Sequence, residues 1–176
     1  MPYLQRNVDK PFGLMPSSPN ARTRPYNKDA SASRIFPGDV VMLESDGNVA
    51  VITAGTETNI LGVAAEGSLT LTAKTDFLVY DDPDQEFVVQ DDSAGAFVAQ
   101  TNVGNNADIV VTTGNTDTDR SNHELDISSA VTTAAPLRIL GLHGIESGFP
   151  TASGSPRRLK VKFGVSNHLL ATGAGI

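Results

Sequence analysis

The chain has no cysteine and no tryptophan. Disulfides and thiolate metal sites are therefore excluded, whatever the redox state around the protein. No run of apolar residues is long enough for a membrane-spanning helix. The opening residues, MPYLQRNVDKPFGLMPSSP, lack the apolar core of a secretory signal. Helix formers are present, but Ala, Leu, Glu and Lys nowhere recur at a 3.6-residue spacing. Basic residues are scarce in the middle of the chain. Between residues 35 and 130 only Lys74 and Arg120 stand against a long series of acids from Asp39 to Asp126.

What is present favours β structure. Val, Thr, Ile and Phe are common, and the 16 glycines and 10 prolines supply turns. At 176 residues the chain is long enough for one domain with a real core. The net charge of −7 is unevenly spread. Residues 1–34 carry Arg6, Lys10, Arg22, Arg24, Lys28 and Arg34 against Asp9 and Asp29, and residues 131–176 are again basic. A basic–acidic–basic chain can pair its ends with its own middle or with a neighbour's. The bases are too dilute, and too poorly interleaved with aromatics, for a nucleic-acid stripe.

Residues 1–34 read as an extended arm. Pro2, Pro11, Pro16, Pro19 and Pro25 oppose helix and central strand. Tyr3, Leu4, Phe12, Leu14, Met15 and Tyr26 are too irregularly spaced to form a core of their own. Such a segment is expected to gain order against another polypeptide, most naturally a neighbouring subunit.

From Ile35 the texture changes to a β-rich body, residues 35–176, divided into packed β subdomains of about 35–80 and 81–176. DVVMLE (39–44) and VAVIT (49–53) flank Ser45-Asp46-Gly47-Asn48 and predict a hairpin. Further strands are expected at 59–65, with Gly62 as a bulge, and at 69–72, 76–80, 86–90, 96–99, 107–112, 125–127, 136–142 and 158–164. A single helical turn is expected near Gln100. RLKVKFG (158–164) alternates most cleanly, with Leu159, Val161 and Phe163 on one face and Lys160 and Lys162 on the other. Many short strands joined by turns predict an all-β barrel or sandwich of antiparallel strands.

The candidate chemistry is thin. In VYDDPDQEFVVQDD, Asp81, Asp82, Asp84 and Glu86 crowd a turn at Pro83, and could in principle attract Ca²⁺. The plainer reading is a turn whose acids face solvent or a neighbour. Asn115-Thr116-Asp117-Thr118-Asp119 spaces its oxygens like the start of an EF-hand loop, but Arg120 replaces the required glycine and Asp126 the final glutamate. His123, His143 and His168 have no zinc-ligand spacing. No GxSxG elbow or glycine-rich phosphate loop occurs. No catalytic residue, metal ligand or cofactor is therefore assigned, and the chain is expected not to be an enzyme.

Several blocks appear in an order that resembles the head-decoration, or cement, proteins of tailed phages. They are KPFGL, a Tyr- and Pro-containing arm ending at IFPGDVVML, VYDDPDQEFVVQDD, VGNNADIVV, PLRILGL and RLKVKFGVSNH. The segment from GDVVML to AAEGS is also similar to the barrel of the trimeric decoration proteins of lambda-like phages. The resemblance implies a virion structural protein. It would bind the outer surface of an icosahedral capsid and stabilise it, as a homotrimer at three-fold and quasi-three-fold positions. Its partners would be the major capsid protein and its own copies, with no nucleic acid and no membrane. On that reading Tyr3, Leu4, Phe12, Leu14, Met15 and Tyr26 are the apolar anchors of the arm, and Arg6, Arg22, Arg24 and Arg34 its charged contacts. The alternative is a module on the virion surface or tail that binds a host receptor or glycan.

Overall fold

The alternation in the last strand decides which face is dry. Leu159, Val161 and Phe163 are buried, while Lys160 and Lys162 lie on the wetter face. The Asp46-Gly47 pair turns the first hairpin as expected, with Gly47 at φ 84° and the Glu44 N–H donating to the Asn48 carbonyl. The computed structural model describes residues 9–93, 99–131, 133–143 and 156–172, and it is all-β.

In chain order the strands are β1 (Met15–Pro16), β2 (Arg24–Lys28), β3 (Val40–Leu43), β4 (Val49–Val51), β5 (Ile60–Ala64), β6 (Lys74–Tyr80) and β7 (Phe87–Gln90). They continue with β8 (Asn106–Ala107), β9 (Ile109–Val110), β10 (Glu124–Leu125), β11 (Leu137–Leu142) and β12 (Arg158–Phe163). A helical turn does occur at Gln100–Asn102, of the tighter 3-10 type, and a second at Ile127–Ser129 is capped by the Asp126 carboxylate. A short helix, α1 (Leu169–Thr172), closes the described chain.

Two five-stranded antiparallel sheets face each other. The first runs β1-β7-β12-β11-β8 and the second β2-β6-β5-β3-β4, with β9 and β10 forming a separate ribbon. The main core lies between the sheets: Phe87, Val89, Ile139, Leu159, Val161 and Phe163 meet Val40, Ile52, Ile60 and Val63. Phe87 and Phe163 pack edge to face, ring centres 5.5 Å apart.

The second sheet is apolar on both faces. Ile35, Val41, Leu61, Phe77 and Val79 form a further core on the side away from the first sheet. That is why every residue of β5 is buried. The sheet curls until its outer strands meet at a parallel bridge between Asn27 and Asn48, without closing into a barrel. Gly62 is the expected bulge: the β3–β5 register shifts beside it, and a Cβ there would sit 2.0 Å from the Tyr80 carbonyl oxygen.

The boundary expected at residue 34 does not separate an arm from the body. β1 pairs with β7 and β2 with β6, so the leading segment gives one strand to each sheet. Between them the chain packs so closely that a Cβ on Gly13 would lie 2.4 Å from the Gly38 carbonyl oxygen. The expected strand at 69–72 is a turn, and that at 107–112 is two short pieces interrupted at Asp108. Most of the strand expected at 96–99 lies outside the described residues.

Candidate functional site

The residues expected to grip a partner divide into distinct groups. Tyr3, Leu4 and Arg6 lie outside the described residues. Leu14 is fully buried in the main core, and its N–H donates to the Gly38 carbonyl. Tyr26 packs against the second core, and its hydroxyl donates to Asp81 Oδ2 at 2.5 Å. Leu14 and Tyr26 thus serve the chain's own fold, because their partners come from segments distant in sequence. Phe12 is half-buried under the Arg158 guanidinium, 5.3 Å away. Arg24 pairs with Asp81, and Arg34 pairs with Asp119 while lying over the Phe36 ring. Met15 and Arg22 remain exposed.

The acidic turn is held from within. Asp81 is buried within its own chain, against the expectation that it faces solvent or a neighbour, because Arg24 and Tyr26 reach it from β2. Burial and the bond to Asp81 push the Tyr26 hydroxyl up to about 12. Asp82 accepts from the Asp84 N–H, Asp84 pairs with Lys162 and Glu86 with Lys160. These carboxylates diverge toward separate partners rather than converging on one point. In the second acidic loop Asn115 Oδ1 accepts from the N–H groups of Asp117 and Thr118, an Asx turn inside a hairpin closed between Asn115 and Arg120.

Asp39, Ser121 and His123 come together in the interior. Their wiring differs from that of a nucleophile and its base. His123 Nδ1 accepts from the Val40 N–H at 3.1 Å, so its proton sits on Nε2, 3.7 Å from Asp39 Oδ1. No ring nitrogen is left to take a proton from Ser121, whose Oγ accepts from the His123 N–H. Burial lowers His123 to about 4 and raises Asp39 to about 6, with the Ser121 hydroxyl and the Phe36 N–H pulling Asp39 back. Asp39 Oδ1 has no hydrogen-bond partner among the described residues. A cleft of about 710 Å³ opens above Asp39 and His123, and Thr53, Thr112, Thr113 and Thr116 contribute to its walls.

A second titrating group surrounds Gln90, whose side-chain amide donates to Asp9 and Glu124. Burial, then the charges of Asp9, Asp92 and Asp91, push Glu124 up to about 7. Burial, helped by the charge of Asp92, outweighs the Arg157 N–H and Ser93 bonds and the Arg157 charge, and leaves Asp91 at about 6. Elsewhere, oxygens of Asp29, Glu44 and Asp46 approach within 4.8 Å and could hold a cation. Those of Asp29 and Asp46 already accept from Ser31, Ala32 and Asn48.

The most unusual surface was missed in the sequence. The Lys28 side chain is buried, and four carbonyls, those of Asp29, Ala32, Leu69 and Thr72, share the three N–H donors of its ammonium at 3.1–3.3 Å. Burial lowers its pKa, against the pull of Asp29. The cage ties residues 29–32 to the turn before β6. That turn holds Leu69 and Leu71 out in solvent, 60% and 73% exposed, with Leu71 in the left-handed region at φ 56°. A leucine is rare there. The alternation LTLT suggests a strand, and nothing local announces that Lys28 claims its carbonyls.

Comparisons with protein-family models, curated proteins and solved structures found no match to this chain.

Proposed function

We propose that this chain is a structural protein of a tailed-phage virion, a decoration or cement protein that binds the outside of an icosahedral capsid and stabilises it. The role is binding rather than catalysis, and the working form is a homotrimer at three-fold and quasi-three-fold positions. The order of sequence blocks described above supports the family. The observation that carries a protein-binding role is the Leu69–Leu71 turn. Two large apolar side chains stand exposed on a turn that a caged lysine fixes in place, one of them in a costly backbone conformation. Apolar anchors of this kind, held rigid before contact, lose little entropy on docking.

The test is co-sedimentation of the purified protein with emptied heads of the phage that encodes it. Wild type saturates the heads, and Leu69→Ala with Leu71→Asn weakens occupancy without lowering thermal stability. Absence of wild-type binding to the heads overturns the proposal. A mass measurement on the free protein expects three copies.

A second reading, a receptor- or glycan-binding module, is favoured by the threonine-lined cleft above the unpartnered Asp39 Oδ1. Its walls offer threonine hydroxyls to a polyhydroxylated ligand. A glycan array blank for wild-type protein removes it.

A further inference from the structure

A cleft of about 760 Å³ lies beside β1, between that strand and the Asn115–Arg120 hairpin. Phe12, Met15, Pro16 and Val88 give it an apolar floor, and Lys10, Arg120 and Arg158 stand around it with His143. Its cations differ from most of those described elsewhere on the molecule. Arg24, Arg34, Lys74, Lys160 and Lys162 each pair with a carboxylate, and Lys28 is caged by carbonyls. Lys10, Arg120 and Arg158 have no ion-pair partner among the described residues. Arg22 and Arg138 also lack an ion-pair partner among the described residues but lie outside this cleft, whereas Lys10, Arg120 and Arg158 line it together in a chain of net charge −7.

The three cations are also positioned. Arg158 is the first residue of β12 and lies over the Phe12 ring at 5.3 Å. The hairpin closed between the backbones of Asn115 and Arg120 fixes the second. The Lys10 N–H, donating to Gln90 Oε1, anchors the third. The single acid at the cleft, Asp9, accepts from Gln90 Nε2.

We infer that this cleft binds an acidic, extended segment of a partner polypeptide, its carboxylates held by Lys10, Arg120 and Arg158 and an apolar side chain seated on Phe12 and Met15. Recognition runs through side chains rather than strand addition, because Pro16 leaves the outer edge of β1 without an N–H there. A polyanion such as nucleic acid is disfavoured by the apolar floor, which offers no partner to a continuous phosphate backbone. The identity of the partner as a shell protein rests on the decoration reading above; the binding chemistry does not.

The test uses the full-length protein and a fluorescein-labelled peptide of alternating glutamate and leucine, read by anisotropy. Wild type is expected to bind saturably, and the lysine–leucine counterpart not to bind. Arg120→Ala, on an exposed hairpin, and the Arg120→Ala/Arg158→Ala pair are expected to weaken binding by about tenfold or more, as is raised salt, with unchanged circular dichroism. No saturable binding, equal binding of the lysine peptide, or variants that bind like wild type would each overturn the assignment. So would sedimentation showing that the substitutions dissolve an oligomer, because the occupant is then a second copy. The same variants are assayed on emptied heads. Heads that bind wild type and the double variant alike sink this site but leave the decoration role standing. Peptide binding without any binding to heads sinks the role and leaves the site.

Discussion

Replacing Lys28 by methionine tests whether the buried ammonium holds the leucine turn in place. Methionine keeps most of the length and apolar stem but removes all donors. The four carbonyls then lose a charged partner, and only that of Ala32 is bonded at a fully buried contact; the other three can turn to water. A charge-assisted hydrogen bond contributes about 1.5–3 kcal/mol, and a buried carbonyl left without a donor costs about 1–3 kcal/mol. Against this, Lys28→Met removes the desolvation of the ammonium, the same burial that lowers the pKa of Lys28. The net expectation is a loss of about 1–3 kcal/mol, at about 2–4 °C of Tm for each kcal/mol in a chain of this size. Thermal unfolding followed by circular dichroism measures the total. Hydrogen exchange reports the locality: amides at 30–32 and 68–73 are expected to lose protection while those of β12 keep theirs. Lys28→Arg does not rescue, because a planar fork cannot enter a cage built for a compact ammonium. An unchanged Tm with unchanged exchange at 68–73 would show that the cage carries no stability and that the turn is held by something else.

Other expectations follow from the interior charges and from the bulge. Glu124, about 7 in the fold and about 4.5 when free, costs stability above pH 7 and returns it as pH falls through that window, so Glu124→Gln is expected to raise Tm at pH 8 and leave it unchanged at pH 4. A Tm gain at both pH values would contradict the electrostatic origin. His123 has the opposite sign: its neutral ring stabilises fully above pH 6.5, and that contribution drains away as pH falls toward 4. Nitrogen NMR at pH 5.5 should find it neutral, with the proton on Nε2; an imidazolium signal there refutes the burial argument. Gly62→Ala has no room beside the Tyr80 carbonyl and should cost about 3 kcal/mol or more, read by urea unfolding.

The parts of this fold that were legible in the sequence are those written in neighbouring residues. Leu159, Val161 and Phe163 announce a strand with one dry face, and Asp46-Gly47 announces a hairpin, because side-chain alternation and positive φ are local matters. The leading segment was misread for the converse reason. Leu14, Tyr26 and Lys28 look stranded among prolines until Gly38, Asp81 and the Leu69–Thr72 turn come to meet them. The same holds for the interior: Asp39 and His123 are far apart in the chain, and only the folded sheets show that the Val40 N–H occupies the Nδ1 of His123 while its Nε2 faces Asp39. The cleft beside β1 joins residues from the leader, the Asn115–Arg120 hairpin and β12, and no spacing rule could have assembled it.

That the leader supplies a strand to each sheet has a consequence for biosynthesis. β1 is made before β7, its partner, and β7 before β12, so β1 must wait for a strand far ahead of it in sequence. Local hairpins such as β3–β4 can form during translation, but the first sheet can be completed only after β12 has emerged. Folding dominated by such distant pairings runs on the order of milliseconds to seconds. Throughout that delay Leu14 and the apolar face of β7 are without cover, and crowding of nascent chains at that stage is where aggregation would begin.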